Sequence, residues 1–127
     1  MDTTIQNVLV DLKIISMVEP KGKLYLSNGV LAVESNSFWV PLKRYLYNSN
    51  RHAVCQRIKQ RIIELETLFN QKHISEGWIR DEISKIIEPV KYGLSNLKET
   101  YSSDSQLCAN FDLMISRLDN ISQSHLK

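Results

Sequence analysis

The sequence predicts a mainly α fold: an antiparallel helical bundle of about five helical segments with one inserted β-hairpin at about residues 23–34. Three observations carry this. Apolar residues recur at spacings of three and four over most of the chain, the period of an amphipathic helix. One decapeptide, Leu24 to Val33, alternates instead and has Asn28-Gly29 at its centre. The chain has 127 residues with 43% apolar and 24% charged residues, which suits one domain, 1–127, with a real core and not two.

The elements follow in order. Thr3 with Gln6 fits a capping box, and Ile5, Val8, Leu9, Leu12 and Ile15 form a helical stripe that Pro20 stops. Asn28-Gly29 suits a type I′ turn, which requires positive φ at both central positions. A two-residue loop sets Ser27 opposite Val30, Leu26 opposite Leu31, Tyr25 opposite Ala32 and Leu24 opposite Val33. Leu24, Leu26, Leu31 and Val33 then share one apolar face that must dock on something. Pro41 opens a short helix to Tyr47, and Asn48-Ser49-Asn50 is expected to break it.

A longer helix, 51–70, carries Val54, Ile58, Ile62, Leu65 and Phe69 on one face. Ser75 caps the next, in which Ile79, Ile83, Ile86, Val90, Leu94, Leu97 and Tyr101 keep phase across Pro89. One helix over 76–101, kinked at Pro89, is therefore expected. The last helix, 104–122, carries Leu107, Phe111, Met114, Leu118 and Ile121, with a frayed polar tail. Short connections make the three C-terminal helices an up-down-up bundle, covered on one side by the first helix, the hairpin and the Trp39 segment.

Composition excludes several function classes. No run of 18 apolar residues occurs, so no membrane-spanning helix and no membrane partner are expected. The N-terminus lacks a basic region followed by an apolar stretch, which predicts an intracellular protein with Cys55 and Cys108 reduced. A disulfide between the two is geometrically allowed. Glycine-rich phosphate loops and the Gly-x-Ser-x-Gly elbow are missing, and the chain has only 4 glycines. His52 and Cys55, at i and i+3, are the nearest approach to a metal or nucleophile pair. A zinc site needs more donors, and His73, His125 and Cys108 come as no spaced pair. His52 and Cys55 read as a helix-start histidine and a core cysteine. No enzyme, catalytic residue, metal or cofactor is predicted.

Charge is less evenly spread. Between Pro41 and Ile63 stand Lys43, Arg44, Arg51, Arg57, Lys59 and Arg61, with no acidic residue and with Tyr45 and Tyr47 interleaved. The segment is a candidate contact for a protein partner or, as the alternative function, for nucleic acid, with arginines on phosphates and tyrosines on bases. The aromatic group Phe38, Trp39, Tyr45 and Tyr47 reads as core. Trp78 and Arg80 are residue types enriched at interface hot spots and form a second candidate interface. Ile63, Leu68, Ile87, Tyr92 and Ile115 fall off the main stripes, and an exposed strip of these predicts self-association as a homodimer. The function predicted is a non-enzymatic protein-interaction or small structural module.

The order of Leu12 to Val18, Lys23-Leu24 opening an Asn-Gly hairpin, Trp39-x-Pro41-Leu42-x-Arg44-Tyr45 and Ser49-Asn50-Arg51 resembles small uncharacterised helical proteins of large nucleocytoplasmic DNA viruses. The likeness covers residues 9–61. It implies an intracellular viral protein, packaged in virions, and supplies no catalytic residues.

Overall fold

The computed structural model describes residues 3–34, 41–71 and 77–126, with the side chains of 3, 27, 34 and 41–50 outside the description. Among these the chain forms α1 (Thr3–Ile15), β1 (Lys23–Ser27), β2 (Val30–Glu34), α2 (Pro41–Asn70), α3 (Gly77–Thr100) and α4 (Ser105–His125).

The hairpin forms in the expected register, with Ser27 opposite Val30 and Leu24 opposite Val33. Asn28 has φ +51° and Gly29 φ +78°, both positive as a type I′ turn demands. Its apolar face docks as expected: Leu24 and Leu31 are buried, with Leu26 and Val33 packed beside them. β1 lies against α2 and β2 against α1.

α1 buries Ile5, Val8, Leu9, Leu12 and Ile15. The link from α1 to the hairpin is fastened to α3. Asn96, itself buried, donates its side-chain amide to the Val18 carbonyl at 2.9 Å, and the Thr100 hydroxyl donates to the Gly22 carbonyl at 3.0 Å. Gly93 makes this junction close. A Cβ there would stand 2.1 Å from the Ile15 carbonyl oxygen, so the end of α1 rests directly on α3 only because the side chain is missing.

Two boundaries differ from expectation. The break at Asn48-Ser49-Asn50 does not occur; α2 is continuous over 30 residues. Asn and Ser favour caps, but each costs well under about 1 kcal/mol inside a helix, too little to end one. His52 is thus mid-helix, not at a helix start. α4 continues past Ser122 to His125, because the His125 ring stacks on Phe69 with centroids 4.8 Å apart. The helix across Pro89 is single, as expected. Ser75 lies outside the described residues, as do Phe38 and Trp39.

Side-chain pairs give the directions. Arg51–Asp104, Glu66–Arg117 and Phe69–His125 run α2 and α4 parallel. Lys98–Asp112, Lys91–Asp119 and Arg80–His125 run α3 antiparallel to α4. α1 is more than a cover: it packs against both α2 and α3, while α4 packs against the same two helices. The described helices therefore number four, not five, and all contribute to one core.

Candidate functional site

Among the described residues, the basic segment's arginines divide between two places. Asp11, only 5% exposed, sits on the inner side of α1. Arg61 donates from Nε to Asp11 Oδ2 at 2.6 Å, and Arg57 donates from Nη1 to the same oxygen at 3.4 Å. Arg57 also donates from Nη2 to the Gly29 carbonyl at 2.9 Å. Arg61 reaches Glu64 at 3.1 Å as well. Burial works against the Arg61 charge, and the hydrogen bonds it donates to Asp11 and Glu64 outweigh it, so the guanidinium is held more firmly protonated. The two arginines thus clamp α1, α2 and the tip of the hairpin together.

Arg51 points another way. It lies 3.6 Å from Asp104, the N-cap of α4, and His52 Nε2 lies 3.9 Å from the same carboxylate. The Leu107 amide, donating to Asp104 at 3.1 Å, is the main cause of a carboxyl held below the usual aspartate range; Arg51 and His52 add to it, against a smaller opposing effect of burial. Lys59 is half-buried. Lys43 and Arg44 belong to α2, with side chains outside the described residues.

The second candidate divides in two. Trp78 is 55% exposed at the start of α3. Arg80 turns inward and donates from Nε and Nη2 to the His125 carbonyl at 3.2 and 3.1 Å. A cation on the last carbonyls of α4 complements the helix dipole, so Arg80 works as a C-terminal clamp.

The expected apolar strip is also divided. Leu68 and Ile87 are buried and Ile115 packs against the core, which leaves Ile63 and Tyr92 exposed on different helices. The helices bury a wider stripe than a strict three-four rhythm marks, as core-facing helices of a globular bundle do.

Cys55 is a buried core residue, as expected, and burial pushes its thiol up, away from the thiolate that nucleophilic work requires. Cys55 and Cys108 are both free. Among the described residues no group of three or more His, Cys, Asp or Glu is placed to hold a metal, and no helix is long and apolar enough to cross a membrane.

A shallow cleft of about 310 Å³ lies between the C-terminal halves of α2 and α4, lined by Ile63, Glu66, Thr67 and Asn70 on one side and Asn120, Ile121, Ser124 and His125 on the other. Spacing alone picks out Ile63, off the stripe of α2, and Ile121, in the stripe of α4; Thr67, Asn70, Asn120 and Ser124 belong to no apolar stripe, and their meeting shows only once α2 and α4 lie side by side. No family model, curated protein or solved structure matches this chain.

Proposed function

We propose that this chain is a non-enzymatic protein-interaction or small structural module. The observation that carries the reading is the commitment of Arg57 and Arg61 to Asp11 and the hairpin tip. A phosphate-binding surface needs cations that face solvent and exchange counterions for phosphates. The two arginines at the centre of the basic segment instead neutralise a buried carboxylate of their own chain. What the surface offers a partner is apolar area: Trp78, Tyr92 and Leu113 are exposed on α3 and α4, and Met17 and Val30 on the hairpin side. Trp and Tyr supply large contact area at small entropic cost. Two free thiols suit a reducing compartment.

Anisotropy titrations with labelled single- and double-stranded DNA and RNA at low salt test this reading. No binding is expected. Tight binding that falls steeply with salt, and that is lost when Lys43 and Arg44 become Glu, would replace it with the nucleic-acid reading.

A further inference from the structure

The outward face of α2 and α4 differs from the rest of the surface in charge. α4 has two acidic residues, and both turn to α3: Asp112 pairs with Lys98 at 2.8 Å and Asp119 pairs with Lys91. The opposite flank, beside α2, carries exposed uncharged polar residues: Gln56, Thr67 and Asn70 on α2, and Ser116, Asn120 and Ser124 on α4. From Gln56 onward the charges on this face, among the described residues, are half-buried Lys59 and the Glu66–Arg117 pair, which is closed at 3.1 Å.

Two apolar side chains stand at the middle of the face. Glu66 and Arg117 mark one height on the parallel helices. Ile63 lies one turn before Glu66, and Leu113 one turn before Arg117, so they share a level. They are 42% and 45% exposed. An apolar centre with a polar, nearly uncharged surround has the make-up of an interface core, from which charged residues are depleted.

We infer that a second copy of this chain docks on this face, through a two-fold contact of α2 and α4 with the same helices of the partner. This rests on the interaction reading above and names its partner. A two-fold contact sets each face against itself, which penalises a charged face through like-charge repulsion. This face avoids that penalty. Amides and hydroxyls both donate and accept, so they are complementary to their own copies. The area suits a weak, reversible dimer. From Gln56 to Asn70 the two helices, each about 10 Å wide, lie side by side for about 22 Å and offer about 450 Å² per chain; about 900 Å² in total falls among small, transient interfaces.

Light scattering with sedimentation equilibrium on the full chain tests it. The expected mass is twice the 14.7 kDa of one chain, with dissociation on dilution. The double substitution Ile63→Lys with Leu113→Lys sets like charges across the two-fold axis and should raise the dissociation constant by about 100-fold or more. Both sites are exposed, so circular dichroism should stay unchanged. Tyr92→Lys, on α3, should leave the mass at that of the dimer. A wild-type monomer at every concentration, or a dimer indifferent to the double substitution, overturns the self-association. Either result with oligonucleotides still unbound leaves the interaction reading in place, whereas salt-sensitive oligonucleotide binding overturns that reading itself.

Discussion

Arg61 Nε stands 2.6 Å from Asp11 Oδ2, across a separation of 50 residues, and the carboxylate it meets is buried. Both side chains are largely shielded, at 13% and 8% exposure, so solvent screens the pair weakly. Breaking such a pair is more costly than replacing it, because the surviving charge is left desolvated. Arg61→Met should therefore cost about 3 kcal/mol, the lower end for a broken buried pair, since Arg57 still touches the same oxygen. The double variant Asp11→Leu with Arg61→Met should lie within about 1 kcal/mol of the parent. Urea unfolding of the two single variants and the double variant measures this. Simple addition of the two single losses would sink the idea.

Gly93 gives a prediction opposite to helix propensity. Alanine is the better helix former by about 1 kcal/mol, so Gly93→Ala on a free helix would stabilise it. In the folded chain the new methyl meets a backbone oxygen, Ile15 O, at 2.1 Å. A backbone carbonyl cannot rotate away as a flexible side chain can, so α1 must shift from α3. The expected net loss is about 1–3 kcal/mol, as for other overpacked sites. Thermal unfolding followed by circular dichroism reads it directly; a raised Tm would mean that α1 does not rest on Gly93.

These two sites also mark where sequence reading reaches and where it stops. The hairpin was legible to the residue, because Asn28-Gly29 sets both turn type and register by local sterics. The core stripes of α2, α3 and α4 were legible from spacing. The ends were not: Asn48-Ser49-Asn50 looks like a stop, yet a capping preference is a weak local term that a long packed helix overrides. The role of Arg57 and Arg61 was hidden for a different reason. Their partner is Asp11, 46 and 50 residues away, and nothing in a run of basic residues tells whether they face a phosphate or a buried acid. By propensity alone Gly93 is only a cost to the helix, and the Ile15 carbonyl that makes it necessary lies far away in sequence.

Asp104 should make the protein sensitive to acid. Its carboxyl is held below the usual value of about 3.9 for aspartate, first by the Leu107 amide and then by Arg51 and His52. A group with a depressed folded pKa binds protons more readily when unfolded. Its contribution is therefore present above about pH 4 and lost as pH falls through the lower folded value. Asp104→Asn keeps an oxygen that can accept from Leu107 and removes the titration. The variant should be slightly less stable at neutral pH and should lose less stability than the parent on acidification. Chemical unfolding midpoints measured from neutral to strongly acid pH compare the two. Parallel curves for parent and variant would show that Asp104 is not among the groups behind acid loss.

The two cysteines should react in a fixed order. Cys55 is 2% exposed, and burial pushes its thiol up, with Asp104 adding to the shift and Lys59 opposing it. Alkylation requires a thiolate and a path to it, and Cys55 has neither in the folded state. Cys108 is half-buried beside Ser95 and Ser102, at the rim of a surface hollow, and donates its S–H to the carbonyls of Tyr101 at 3.3 Å and Lys98 at 3.5 Å. Cys108 is the more accessible of the two, so it should react well ahead of Cys55. Iodoacetamide labelling followed by peptide mass spectrometry gives the order. Cys108 should be modified first in the native protein, and Cys55 only at the rate of unfolding, with both rates converging in denaturant. Rapid labelling of Cys55 at neutral pH in the folded chain would contradict the burial described here and return the His52–Cys55 pair to consideration as a reactive site.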